Sequence, residues 1–173
     1  EEACTGLAGV SASQVEMTSG IQFYDGITTA EIQEILIKSA SDLIDLEHPN
    51  YQFVAARLLL FSLRKQLFGK MHELPDLVNH ITKLAYDNIY DKFFNISKKQ
   101  INSVYSKNSL EEIMKAETFV DHDRDFMFTY AGLRQVVDKY LVQDRSTGKV
   151  YETPQFMYIM IALTIFRDYP KAT

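Results

Sequence analysis

Hydrophobic and polar positions along this chain fall mostly into the three-and-four spacing of amphipathic helices. Residues 50–69, NYQFVAARLLLFSLRKQLFG, depart from it: Phe53, Val54, Ala56, Leu59, Leu60, Phe61, Leu63 and Leu67 leave no wide polar stripe. A helix apolar nearly all round is buried with neighbours on several sides, so this segment is expected to be the central helix. Asn50 stands where a side chain caps a first turn, and Gly69 where a left-handed residue closes a helix. Arg57 and Arg64 lie seven residues apart, almost above one another, with Lys65 about a quarter turn away. These cations either reach the surface or pair with carboxylates, or one of them is offered to a bound anion.

Ahead of this helix, residues 11–24 read as helical, with Val15, Met17, Ile21 and Phe23 as apolar positions and Asp25-Gly26 as the turn that follows. Thr28 or Thr29 caps the next helix, with Glu31 near the capping-box position. That helix carries Ile32, Ile35, Leu36, Ser39, Leu43 and Ile44 along one face. Residues 45–49 make a short connection, so this helix and the central one form a helical hairpin. After Gly69 the pattern loosens. Residues 74–89 predict a helix with Leu77, Val78, Ile81 and Leu84 on its buried side; residues 90–109 are rich in Asn, Ser and Lys; residues 110–120 predict a short helix. Another helix ends over 133–140. Residues 140–143 and 149–151 read as two strands around the four-residue loop 145–148, a hairpin. Glu152-Thr153-Pro154 opens a last helix, and Tyr169-Pro170 ends it. Within it, Phe156 to Leu163 has no polar stripe and needs cover on most sides.

Composition sharpens this picture. A chain of 173 residues that is 46% hydrophobic can bury a real core. Twelve per cent aromatic content with seven Gly and four Pro favours ordered, mainly α structure. The formal charge of −5 argues against a nucleic-acid surface, which needs a concentrated basic face. One cysteine, Cys4, permits neither an internal disulfide nor a cysteine-based zinc site and fits a reducing, cytoplasmic compartment. No apolar run reaches the roughly twenty residues that span a bilayer, so no membrane partner is expected. The start at Glu1, without Met or a signal-like segment, suggests a processed chain or a fragment. The sequon Asn95-Ile96-Ser97 is discounted for lack of a secretory signal. Asp121, His122, Asp123, Arg124 and Asp125 form a dense charge cluster. Adjacent residues cannot all point at one ion, which favours pairing through Arg124 over metal binding. No Ser-His-Asp or Cys-His arrangement can be placed from the sequence, and no phosphate-cradling glycine loop or zinc spacing appears in it.

Two long runs carry a resemblance. IQFYDGITTAEIQEILIKSASDLI followed by HPNYQFVAARLLLFSLRK resembles the later helices of the ATP-cone in the large (alpha) subunit of aerobic class I ribonucleoside-diphosphate reductase. VDHDRDFMFTYAGLRQVVDKYLVQDRSTGKVYETPQFMYIMIA resembles the helical domain that follows the cone there. The two occur in the expected order and together cover nearly the whole chain.

The resemblance implies a mainly α chain: residues 1–69 a partial, regulatory ATP-cone bundle, and residues 70–173 the helical domain with one short β-hairpin. It implies an enzyme that converts ribonucleoside diphosphates to deoxyribonucleotides by radical chemistry. A separate small (beta) subunit generates the radical, and alpha subunits form oligomers. ATP and dATP are the expected allosteric effectors, with ATP switching the enzyme on and dATP switching it off. Family positions on the cone correspond to Thr29, Gln33 and Lys65 as effector contacts. A complete cone opens with a β-ribbon and a basic turn, expected before Glu1, and the catalytic cysteines, relay tyrosines and barrel are expected beyond Thr173. The remainder of the alpha subunit is therefore an expected partner, and no catalytic residue or metal ligand is expected within the chain. Two alternatives are a free-standing helical regulatory module with a partial cone and the product of a split reductase gene.

Overall fold

The computed structural model describes residues 1–87 and 110–166, and the chain divides into two compact units. The described architecture is mainly α, with one short antiparallel hairpin. The first unit comprises Glu1–Met71 and Asp123–Tyr140. It contains α1 (Ala12–Gly20), α2 (Thr29–Asp42) and α3 (Tyr51–Phe68); α4 (Leu77–Tyr86) and α5 (Leu110–Glu117) follow in the second unit, and α6 (Tyr130–Gln135) returns to the first and runs on into a wider π-type turn over Val136–Tyr140.

Helix α3 is the centre of the first unit, as its pattern predicts. Tyr51, Val54, Ala55, Ala56, Leu59, Leu60, Phe61, Leu63 and Arg64 are all buried. Helix α2 packs along it, α6 packs on it, and α1 lies on α2. Tyr51 is 1% exposed, and its hydroxyl is satisfied twice, accepting from the Ser11 amide and donating to Gln14 Oε1, each at 3.0 Å. Gly69 takes φ 74° and its amide bonds the Lys65 carbonyl, so the left-handed stop is present. Asn50 does not cap. Its backbone is already right-handed helical, and its side-chain amide donates instead to the Ala8 carbonyl at 2.9 Å, tying α3 to the amino-terminal segment.

Helix α1 is shorter than its sequence suggests and ends at Gly20, after which Gln22 and Phe23 bond back into turns. Of its expected apolar positions only Val15 is buried; Met17, Ile21 and Phe23 are exposed, because the chain has left the helix before the last two could share its inner face. In α2 the most deeply buried positions are Ile37, Ser39 and Ala40, whereas Ile44 lies past the helix end and is exposed. The expected stripe is thus rotated slightly toward Ile37. The cap is Thr28, which with Glu31 completes a full capping box.

The second unit takes the described residues of His72–His122 and Leu141–Thr173. Helix α4 (Leu77–Tyr86) starts three residues later than expected, after Asp76 accepts from the Asn79 amide at 2.7 Å. It packs on α5 (Leu110–Glu117), and Glu117 Oε1 accepts from the Leu77 amide at 2.9 Å. Leu77, Ile81, Leu84 and Ile113 are buried. Strands β1 (Gln143–Asp144) and β2 (Lys149–Val150) pair with Gln143 opposite Val150 and Asp144 opposite Lys149, around the expected loop but with shorter strands. Helix α7 (Pro154–Phe166) buries Phe156 and Met157 in its first turn, whereas Tyr158, Ile161, Ile165 and Phe166 are exposed. The expectations for residues 90–109, for the sequon at Asn95 and for the stop at Tyr169-Pro170 lie outside the described residues.

Candidate functional site

The beginning of α2 is held by reciprocal bonds. The Glu31 amide donates to Thr28 Oγ1 at 3.3 Å, while Glu31 Oε2 accepts from the Thr28 amide at 2.8 Å and from Thr28 Oγ1 at 2.7 Å. The Tyr24 hydroxyl adds a bond to Glu31 Oε1 at 3.0 Å. Hydrogen bonds from Thr28, then Tyr24, hold the Glu31 carboxyl below its ordinary range, and the same carboxylate pushes the Tyr24 phenol up. Thr29 is the first residue of the helix so fixed, and Gln33 follows one turn on, on the same side.

Helix α3 packs against α2 and brings Ser62, Lys65 and Gln66 to meet them. The result is an open cleft of about 660 Å³ lined by Tyr24, Thr29, Ala30, Glu31, Gln33, Glu34, Ile35, Ser62, Lys65 and Gln66. That volume suits a small-molecule ligand. All three residues singled out from the sequence, Thr29, Gln33 and Lys65, therefore share one cavity. Ser62 Oγ donates to Gln33 Oε1 at 3.2 Å across the helix pair. Lys65 is exposed and is the one cation among the lining residues. Its opposing carboxylates are Glu31, already engaged by the cap, and Glu34. An anion in the cleft is drawn to the Lys65 end and away from the carboxylates.

The other two cations of α3 do different work. Arg57 donates to the Ala3 and Thr5 carbonyls at 3.2 and 2.7 Å. Arg64 is buried against Asp125 at 3.8 Å and lies 5.0 Å over the Phe126 ring. The pairing alternative thus holds for Arg64, and neither arginine lines the cleft. Asp125 is turned inward to that arginine, and among the described residues no group of three His, Cys, Asp or Glu side chains could hold a metal ion. No helix among the described residues is long and apolar enough to cross a membrane.

Sequence reasoning missed Tyr24, Glu34, Ser62 and Gln66 as lining residues. Ser62 was accessible to it, because it precedes Lys65 by three residues and so shares its helical face. Tyr24 was not, since its place depends on how the turn at Asp25-Gly26 returns the chain to α2.

Comparison with known proteins places the cleft in a recognised module. The ATP cone domain model matches residues 2–66, which include every lining residue, and the ribonucleotide reductase all-alpha domain model matches residues 126–172. The chain is 46% identical over 171 residues to ribonucleoside-diphosphate reductase 1 subunit alpha of Escherichia coli K12, covering 99% of this chain and 21% of that protein. The chain belongs to the family of ribonucleoside-diphosphate reductase alpha subunits. The Haemophilus influenzae alpha subunit is 43% identical with the same coverage, and the phage T4 alpha subunit 40% identical over 94% of this chain and 20% of its own length. The chain thus spans about a fifth of the length of these reductase subunits.

Proposed function

We propose that residues 1–69 are the regulatory ATP/dATP-sensing part of a reductase alpha subunit and that residues 70–173 belong to its helical domain. The intact subunit reduces ribonucleoside diphosphates to deoxyribonucleotides in the cytoplasm, with a radical supplied by a small beta subunit and with effector-controlled association of alpha subunits. The remainder of the alpha subunit is then the first partner of this chain. The observation that carries the reading is the convergence of Thr29, Gln33 and Lys65 on one cleft inside the ATP-cone match.

In this reading Lys65 takes a phosphate oxygen of the effector, Gln33 adds a polar contact, and the first turn of α2 contributes its positive end. No residue of this chain carries the chemical step. A charge-assisted hydrogen bond contributes about 1.5–3 kcal/mol, so Lys65→Ala in the intact subunit is expected to weaken ATP binding roughly 10-fold to 100-fold. Equilibrium dialysis with ATP, alongside the ATP concentration that half-activates reduction, measures this. Unchanged ATP affinity in that variant removes the assignment of the cleft.

A further inference from the structure

Helix α3 has a second working face beside the cleft. Consecutive residues of a helix point about 100° apart, so Lys65 lines the cleft while Arg64 turns away from it. Arg57, Phe61 and Arg64 follow one another at the spacing of a single helical stripe. The Phe126 ring lies across that stripe. Phe61 meets it edge-on with centroids 5.8 Å apart, and the Arg57 and Arg64 guanidinium groups lie 5.8 and 5.0 Å from its centre. Arg64 is 3% exposed and Asp125 1% exposed, 3.8 Å from each other, and separating such a buried pair strands a charge. Tyr130 joins Phe126 on the core that contains Tyr51, Val54 and Ala55, and α6 packs on α3. Residues 126–140 nevertheless fall in the all-alpha domain match, outside the cone match, and the chain passes from Tyr140 into the second unit.

We propose that the segment Asp123–Tyr140 is the element through which a nucleotide in the cleft acts on the helical domain: Asp125 and Phe126 lock it to α3, so it opens only together with the cone helices and is stabilised whenever the cleft is filled. This rests on the nucleotide reading above and adds to it where in the subunit the binding is felt. A ligand that binds only the closed unit slows every opening that requires the unit to open, by a factor set by the ratio of free ligand to its Kd. Purely local openings are left unchanged. The amides of Leu133 and Val136 report on the segment, since they donate to the Thr129 and Gly132 carbonyls and both side chains are buried.

The test is hydrogen exchange of the intact subunit, without ATP and with ATP at about a hundred times its Kd, binding being measured by calorimetry. Exchange at Leu133 and Val136 is expected to slow about 100-fold, the same factor as at the α3 amides of Leu59 and Leu60. Asp125→Asn, which removes the charge and keeps the size, and Arg64→Met each free the segment to open by itself. Both are expected to cut the factor on α6 below about tenfold while leaving it intact on α3. Arg134→Ala, which removes only an exposed pair with Asp138 on the same segment, is expected to keep the parent's factor. Slowing on α2 and α3 without slowing on α6 overturns the inference and leaves the nucleotide reading standing. Full slowing of α6 in both Asp125→Asn and Arg64→Met does the same. If neither variant folds, the parent decides alone: equal factors on α6 and α3 support the inference, and an unchanged α6 overturns it. If the parent subunit binds no ATP, both readings fail.

Discussion

Burial pushes the Glu152 carboxyl up from an ordinary 4.5 to about 7, partly offset by the Val142 amide that donates to it at 2.8 Å. Burial, with Lys83 and His122 adding to it, lowers His80 in the same unit from 6.5 to about 4. The two act in opposite directions. As pH rises from 4.5 to 7 the unfolded Glu152 releases its proton and the folded one keeps it, so folded stability is lost across that window. As pH falls from 6.5 to 4 the unfolded His80 takes a proton that the folded ring refuses, and stability is lost on the acid side. Each shift corresponds to about 3 kcal/mol. Glu152→Gln removes the first effect and keeps an acceptor for Val142. Its urea midpoint is expected to fall steadily from pH 6.5 to 4.5, where the parent, with opposed slopes, stays flatter. A parent and variant with parallel pH profiles contradict this. Neither shift was legible in the sequence, because a lone His or Glu gives no sign of what will cover it. Lys65 was legible as a ligand candidate, yet only the packing around α3, which leaves Lys65 in a cleft with Thr29 and Gln33 and buries Arg64 against Asp125, tells the two cations apart.

At the scale of elements, ends were read best where local chemistry is self-contained. Thr28 and Glu31 cap α2 with their own side chains, and Gly69 stops α3 through its own backbone conformation. A Cβ at Gly69 meets nothing within 4 Å, so only the left-handed φ of 74° opposes a side chain there. Gly69→Ala is accordingly expected to cost about 1 kcal/mol, and Gly69→Asn less, measured as a shift in urea midpoint at unchanged slope. A neutral Ala variant would show that the stop carries no strain. Asn50 was misread because a capping residue has other acceptors within reach once the chain folds, here the Ala8 carbonyl. The apolar residues after Gly20 misled for a similar reason: composition suggested a longer α1 than the backbone forms.

For the molecule as a whole, the exposed part of α7 has a measurable consequence. Tyr158, Ile161, Ile165 and Phe166 leave large apolar area in water, and burying each such side chain is worth roughly 1.5–3 kcal/mol. A patch of this kind is normally an association site. The chain of residues 1–173 is expected to self-associate, and Ile161→Glu with Ile165→Glu to reduce that association; light scattering after size exclusion checks both. A clean monomer near 19.9 kDa would contradict the expectation. In the reading proposed above the catalytic cysteines of the intact subunit are not among these residues, so the same chain, whose one thiol is Cys4, is expected to form no dCDP from CDP even with a radical subunit, ATP and a dithiol. Detectable dCDP would overturn the reading of this chain as non-catalytic. The sequence by itself determined the mainly α class, the central buried helix, the hairpin of α2 and α3, and the face that carries Lys65, because helical period and caps act over a few residues. Tertiary structure alone decided that Asp125 serves Arg64, that Asp123–Tyr140 joins the first unit although it follows the second unit's α4 and α5, and that Ser62 holds Gln33. Those pairings join residues 29 to 61 positions apart, or segments separated by a whole element, and no local pattern encodes which distant partner a side chain will meet.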